Sequence, residues 1–189
     1  MKKIELRDSD ALIIVDCQND FMPGIGSLPV PQGEEIIPEL NKWIKEFSRR
    51  GLVIVATRDW HPREHASFKA VGGAWPEHCV QGSFGAKFPE GLRLPTNVIV
   101  ISKGTDPQKD AYSGFDGTDL DKILKLKGIK RLFVGGLATD YCVRATVLDA
   151  LKLDFQVYVI LNAIRGVDVR PGDSRRALAE MENRGATLL

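Results

Sequence analysis

Cysteine is scarce in this chain, whose 189 residues contain only Cys17, Cys79 and Cys142 and no CxxC pair. So few cysteines, so widely spaced, argue against a disulfide framework and a cysteine-rich zinc module. The formal net charge of +1 indicates neither a nucleic-acid partner nor a membrane-surface partner. Apolar runs are too short to span a bilayer. The opening residues lack the apolar segment of a signal peptide, so we expect a cytoplasmic protein.

Apolar runs alternate with amphipathic segments along the chain, which is typical of an α/β fold. Strands are predicted at 11–15, 52–57, 97–101, 131–134, 155–161 and, shortened, 186–189. Helices are predicted at 34–50, 118–127, from about 140 to 151, and at 171–184. We therefore expect one domain over residues 1–189, doubly wound and Rossmann-like, with three layers and a mostly parallel sheet of about six strands. No glycine-rich dinucleotide fingerprint or P-loop follows a strand.

Cys142 follows a predicted strand and a turn of small residues, at the start of a predicted helix. Thr139 or Asp140 could cap this helix. Unpaired N–H groups and the helix dipole at such a position favour a thiolate and could bind an oxyanion. Cys142 is therefore a candidate nucleophile, and the alternative is an inert buried thiol.

Polar residues also end three other predicted strands: Asp16, Asp59 and Lys103. Ligands bind beyond the carboxyl ends of strands in doubly wound sheets, so we expect these side chains to meet Cys142. Asp16 could take the thiol proton, and Lys103 could hold Asp16 ionised. Taken singly, Asp16 could be a helix cap or salt-bridge partner and Lys103 a surface lysine. Together with Cys142 at one edge, they favour a catalytic site.

All three histidines lie between positions 61 and 78. Asp59 and His61, two apart in an extended chain, project to the same side, and a later histidine could complete a metal site. This ligand set suits zinc, iron or manganese. The alternative is a polar surface loop. His65 is either a fourth ligand or a group that orients His61.

Three aromatic residues lie in loops that leave the same predicted edge: Phe21, Trp75 and Tyr112. Singly, each is as well explained by core packing. Together, they could sandwich a flat ring.

Five stretches between Ile13 and Leu151 are long enough to be compared with known families: IIVDCQNDFMPGIGSLPV, TRDWHPREHASF, WPEHCVQGSFGAKF, SKGTDPQKDAYSGFDGT and GGLATDYCVRATVLDAL. In this order they resemble the nicotinamidase/pyrazinamidase family of isochorismatase-like cysteine hydrolases. The resemblance implies an amidohydrolase that converts nicotinamide, and also pyrazinamide, to the free acid and ammonia through a cysteine thioester, as a step of NAD salvage.

The resemblance also assigns roles to individual residues. The implied catalytic triad is Asp16, Lys103 and Cys142. One divalent ion is implied at Asp59, His61 and His78, with zinc as the first candidate and iron or manganese as alternatives, and His65 is a ligand in some members. The implied oxyanion hole consists of the N–H groups of Ala138 and Cys142, with a cis peptide bond between Leu137 and Ala138. The implied ring-binding residues are Phe21, Trp75, Tyr112 and Leu137.

Two other functions are compatible with parts of the pattern. An enzyme on the same scaffold could cleave a carbamoyl or ureido group, but it would need neither the metal cluster nor the aromatic residues. A binding module without catalysis would have no use for the Asp, Lys and Cys set. The sequence leaves the oligomeric state open, and a homo-oligomer is one alternative.

Overall fold

Six parallel strands form the sheet in the computed structural model, which describes residues 4–189. The strands, in chain order, are β1 (Asp10–Val15), β2 (Val53–Asp59), β3 (Ile99–Lys103), β4 (Arg131–Leu137), β5 (Gln156–Arg165) and β6 (Thr187–Leu188). They lie side by side in the order β3-β2-β1-β4-β5-β6, and each neighbouring pair is parallel. The α/β class and the sheet predicted from the sequence are confirmed.

Helices cover both faces of this sheet: α1 (Ile37–Arg49), α2 (Leu120–Leu126), α3 (Arg144–Lys152) and α4 (Asp173–Asn183). Helix α1 packs on one face, where Leu40 and Phe47 join a core that includes Leu12 and Ile14 of β1. The other three helices cover the opposite face, where they pack against the alternate residues of β1. Because β1 is buried on both faces, its sequence is a continuous apolar run. None of the helices within residues 4–189 is long and apolar enough to cross a membrane.

Several elements begin or end at residues other than those predicted. Residues 33–36 form a 3₁₀ turn, and α1 begins at Ile37 with Pro38 in its first turn, where a missing N–H costs nothing. Strand β4 continues through Gly135 to Leu137, although these small residues were predicted to form a turn. Strand β5 extends to Arg165, past a register shift that sequence periodicity does not reveal.

The strand order reverses between β1 and β4, which are neighbours in space although two strands separate them in the chain. In open parallel sheets, a crevice forms beyond the carboxyl ends of the strands at such a switch point. Asp16 follows β1 directly, and Cys142 lies five residues beyond the end of β4. The topology therefore brings these two side chains to the same crevice.

Candidate active site

Asp16, Lys103 and Cys142 converge at the switch point, as the sequence predicted. The Nζ atom of Lys103 lies 2.8 Å from Oδ2 of Asp16 and 3.5 Å from Sγ of Cys142. The same ammonium donates a hydrogen bond of 3.0 Å to the carbonyl of Ala111. All three side chains are buried, with at most 7 % of each residue exposed. A thiol, a carboxylate and an ammonium are thus in contact and shielded from water.

A second carboxylate shares the same ammonium. The Nζ atom of Lys103 donates a hydrogen bond of 2.5 Å to Oδ1 of Asp59, the last residue of β2. Burial alone would lower the pKa of Lys103, but the two carboxylates raise it well above its usual value. Burial also acts on Asp59, yet Lys103 and His61 hold the pKa of that carboxyl below its ordinary range. Lys103 is therefore a permanent positive charge between two acidic side chains.

Burial dominates the protonation of Asp16 and Cys142. It raises the pKa of the Asp16 carboxyl against the opposing charge of Lys103. It also raises the pKa of the Cys142 thiol well above its usual value, and Lys103 offsets only part of this. Burial therefore favours the thiol, in opposition to the helix N-terminus, which favours a thiolate. The thiol needs a base to accept its proton. The raised pKa of the Asp16 carboxyl makes this carboxylate a better proton acceptor.

The turn that holds Cys142 is a π-helical segment, Thr139–Val143, which leads into α3. The prediction that Thr139 or Asp140 caps the helix is wrong, because neither side chain bonds to its N-terminal N–H groups. Asp140 instead accepts hydrogen bonds from the amides of Val167 (2.9 Å) and Asp168 (2.8 Å) in the loop after β5. Asp140 thus links the Thr139–Val143 turn, which holds Cys142, to that loop.

The peptide bond between Leu137 and Ala138 is cis, as the resemblance implied. The carbonyl of Ala138 accepts hydrogen bonds from the amides of Tyr141 and Val143, both at 3.1 Å. Within residues 4–189, the amide of Ala138 itself donates to no other protein group. An unpaired donor beside Cys142 suits a developing oxyanion, and that role stays a prediction.

Asp59, His61 and His78 form a cluster that fits a divalent metal ion. One potential ligand atom from each lies within 4.8 Å of the other two. Nδ1 of His61 lies 3.0 Å from the carbonyl of Gly104, and Nδ1 of His78 lies 2.8 Å from the carbonyl of Pro76. A protonated Nδ1 leaves Nε2 of each ring with a free lone pair, the arrangement found in metal-binding histidines. Burial lowers the pKa of His78, which keeps this imidazole neutral.

Gly104 shows how closely the ring of His61 is held. Its φ angle is +61°, and a Cβ atom on this residue would lie 2.5 Å from Cε1 of His61. Only glycine combines that backbone conformation with the close approach of its carbonyl to the imidazole.

His65 lies against this cluster without a free nitrogen. Its Nδ1 is 2.7 Å from the hydroxyl of Ser67, and its Nε2 is 3.2 Å from the carbonyl of Lys109. The ring centroids of His65 and His61 are 4.1 Å apart. These contacts suit a residue that packs against His61 and orients it, but His61, His65 and Asp110 also bring potential ligand atoms within 4.8 Å of one another, so both alternatives left open by the sequence stay predictions.

The predicted aromatic residues line one cavity with the cysteine and the metal cluster. Phe21, Trp75, Tyr112 and Leu137 all contribute to its wall, which also includes Cys142 and His78. Nε1 of Trp75 donates a hydrogen bond of 2.9 Å to the hydroxyl of Tyr112, which fixes the two rings relative to each other. A flat ring that enters here meets aromatic walls, the metal cluster and the thiol.

The comparisons with known proteins agree with this geometry. The family model described as the isochorismatase domain matches residues 10–189. The nicotinamidase of Escherichia coli (strain K12) is 42% identical, over 94% of this chain and 93% of its own length. This chain belongs to the nicotinamidase/pyrazinamidase family of isochorismatase-like hydrolases.

Solved structures of related proteins share the fold of this chain. A pyrazinamidase of Pyrococcus horikoshii in complex with zinc is 54% identical, with a TM-score of 0.92 over 96% of this chain and 98% of its own. PnC1 from L. infantum in complex with nicotinate is 39% identical, with a TM-score of 0.88 over 96% and 92%. The cofactor of this chain is accordingly a divalent metal ion, and the substrate of this chain is a small molecule.

The structure adds residues to the family's site that the sequence did not single out. Tyr141, next to the nucleophile, lies edge-on to Trp75 at a centroid distance of 5.2 Å and lines the cavity. Gln18 donates from Nε2 to the carbonyls of Asp59 (2.8 Å) and Ala86 (3.0 Å), and its Oε1 accepts from the amide of Asp59 (2.8 Å). Thr57 donates to the carboxylate of Asp16. Tyr141 adjoins the cysteine in the motif, which was a usable signal; Gln18 and Thr57 gave none.

Proposed function

We propose that this protein hydrolyses nicotinamide, and also pyrazinamide, to the free acid and ammonia through a thioester on Cys142. The observation that carries the proposal is the enclosure of Cys142, in contact with Lys103 and beside Asp16, by an aromatic cavity that also contains the metal cluster. The comparisons support the same reaction, since relatives that are 36% to 54% identical are nicotinamidases and pyrazinamidases, whereas an N-carbamoylsarcosine amidase is 29% identical. We further propose a cytoplasmic enzyme of NAD salvage, formed by one domain over residues 1–189.

The reaction follows from the positions of the side chains. Asp16 removes the thiol proton as Sγ of Cys142 attacks the carbonyl carbon of the amide. The backbone amides of Ala138 and Cys142 stabilise the oxyanion. The positive charge of Lys103 compensates the negative charge of Asp16. Protonated Asp16 then passes its proton to the departing ammonia, which leaves a thioester. Asp16 next activates a water molecule, which hydrolyses the thioester, and the acid leaves.

Asp59, His61 and His78 would hold the metal ion, which we propose is zinc. When bound, the ion supplies a Lewis acid that orients and polarises the ring nitrogen of the substrate. The attacking atom in this scheme is the sulfur of Cys142, so the metal has no need to supply a nucleophile. Phe21, Trp75 and Tyr112 hold the ring between them.

Ammonia release from nicotinamide, pyrazinamide, benzamide and an N-carbamoyl amino acid tests this function directly. Benzamide has the same shape as nicotinamide but lacks the ring nitrogen, so it separates ring orientation from ring stacking. We expect turnover of the two ring-nitrogen amides and much weaker turnover of benzamide. Preferential release from the N-carbamoyl compound would instead indicate a carbamoyl-cleaving enzyme.

Removal of the metal should weaken substrate binding more than it lowers the stability of the fold. After chelation and dialysis, we expect KM for nicotinamide to rise by about tenfold or more while the fold is retained, because the ion positions the ring. Zinc, iron and manganese are then added back separately to identify the ion that restores KM. Equal turnover by stripped and loaded protein, with metal content measured on both, would contradict the assigned role.

Asp140 should affect substrate binding through the cavity wall. Asp140→Asn removes one acceptor for the loop amides of Val167 and Asp168, and Val167 lines the cavity. We expect KM for nicotinamide to rise by about 3- to 10-fold with a smaller change in kcat. The matched control is Asp168→Asn, which removes one of the two acceptors for Ser174 of α4 and is not among the cavity-lining residues. Equal KM values for both variants would refute the role of Asp140.

A further inference from the structure

The two carboxylate oxygens of Asp16 have different surroundings. Oδ1 accepts a hydrogen bond of 2.6 Å from the hydroxyl of Thr57, whose residue is fully buried in β2. Oδ2 lies 2.8 Å from Nζ of Lys103 but accepts no aligned hydrogen bond from any group within residues 4–189. One oxygen is therefore satisfied, and the other has unused capacity to accept a proton.

Thr57 holds Asp16 at two points. The hydroxyl oxygen of Thr57 accepts a hydrogen bond of 3.2 Å from the backbone amide of Asp16, while its proton goes to Oδ1. A carboxylate can only accept, and an amide can only donate, so the direction of both bonds is fixed. The two contacts together fix the side-chain torsion angles of Asp16 and therefore the orientation of its carboxylate.

The threonine is itself held in one rotamer. Its methyl group faces Gly114, where an added Cβ would lie 2.9 Å from Cγ2 of Thr57. Threonine has few accessible side-chain rotamers because it branches at Cβ. The methyl group therefore has a packing role, and the hydroxyl is directed at Asp16.

Oδ2 of Asp16 and the sulfur of Cys142 share a neighbour. Both Oδ2 of Asp16 and Sγ of Cys142 contact the same ammonium, at 2.8 Å and 3.5 Å from Nζ of Lys103. An oxygen of Asp16 and the sulfur lie within 4.8 Å of each other. With Oδ1 occupied by Thr57, Oδ2 is the oxygen of Asp16 that is left to accept the thiol proton.

We propose that Thr57 is a positioning residue of the hydrolytic reaction, which occupies Oδ1 of Asp16 and directs Oδ2 towards Cys142. This inference rests on the proposed function. In the first step, the S–H bond of Cys142 breaks and an O–H bond forms on Oδ2 while the sulfur bonds to the amide carbon. When the C–N bond breaks, the same proton moves from Oδ2 to the departing nitrogen.

Thr57→Val tests this role with nearly unchanged volume. In metal-loaded protein, we expect kcat for nicotinamide to fall by about 10- to 100-fold, with KM and metal content unchanged, because a hydrogen bond to a charged group is lost. Thr57→Ser retains the hydroxyl and should remain within about threefold of the wild-type kcat. If Thr57→Val does not fold, Thr57→Ala removes the same hydroxyl without adding a methyl group and carries the test.

Thr146→Val is the matched control. Thr146 is an equally buried threonine on α3, and its hydroxyl accepts from the amide of Gly114 instead of contacting Asp16. We expect it to lose stability without a comparable loss of kcat. The proposal fails if Thr57→Val keeps the wild-type kcat, if folded Thr57→Ser loses as much as Thr57→Val, or if Thr146→Val loses as much kcat as Thr57→Val.

Alkylation of Cys142 by iodoacetamide separates this inference from the proposed substrate. The reagent reports how readily the thiol loses its proton and requires no amide substrate. Slower alkylation of Thr57→Val than of wild type and Thr146→Val supports the positioning role even if nicotinamide is not turned over. Equal alkylation rates in the three proteins overturn it.

Discussion

Replacing Cys142 by alanine is expected to reduce ammonia release from nicotinamide by about 10⁴-fold or more, because no other group can form the thioester. Among the residues that line the cavity, Cys142 is the one whose sulfur contacts Lys103, which in turn contacts Asp16. In the proposed mechanism, ring binding depends on the aromatic wall and the metal cluster, whose residues the substitution leaves unchanged. Ammonia release and calorimetric binding of nicotinamide, measured on the same sample, therefore separate loss of chemistry from loss of binding.

Cys17→Ala provides the matched control for this experiment. Cys17 is also fully buried, but it belongs to the apolar core on the face covered by α1. Cys17 is not among the residues that line the cavity, so we assign it no nucleophilic role. We expect this variant to retain most of its turnover. Substantial turnover by Cys142→Ala would rule out the thioester mechanism.

Lys103→Met is expected to lower the free energy of unfolding by about 3–5 kcal/mol, because it leaves buried carboxylates without their counter-charge. Asp16 is fully buried and Asp59 is 4% exposed, so water cannot replace the ammonium. Chemical denaturation of metal-stripped and metal-loaded protein measures the loss. The loss should be larger in stripped protein, where Asp59 has no cation. Turnover should fall with it, since Asp16 loses the charge that keeps it ionised.

Two further variants show whether burial is the cause. Lys109→Met breaks the exposed ion pair with Asp116 and should leave the unfolding free energy unchanged within error. Adding Asp16→Asn to Lys103→Met removes one of the uncompensated charges, so the double variant should be more stable than Lys103→Met alone. If Lys103→Met is as stable as Lys109→Met, the buried ion pairs do not stabilise the fold.

The sequence predicts those parts of the fold that depend on local patterns. Apolar runs such as Leu12–Val15 reveal a strand buried on both faces, and the residues that follow such strands must lie at one edge of a parallel sheet. That argument was enough to bring Asp16, Lys103 and Cys142 together, although their catalytic roles stay predictions. The single-domain organisation stays a prediction as well.

Properties that depend on three-dimensional surroundings could not be predicted in the same way. The helix position of Cys142 suggested a thiolate, but desolvation by distant parts of the chain determines its protonation. Likewise, Asp140 has the composition of a helix cap, and only the position of the loop after β5 shows that it bonds there instead. Contacts between residues far apart in sequence leave no periodic signal along the chain.

Gln18 has the donor and acceptor of a peptide group in its side chain, and it uses both on the backbone of Asp59. The backbone of β1 ends at Val15, but this amide continues its ladder beside β2. Gln18 thus takes the place of a further residue of β1 beyond the end of that strand. Its side chain supports the carboxyl end of β2. Transfer of this site to another parallel α/β scaffold would therefore require Gln18 to move together with the metal ligands and the catalytic side chains.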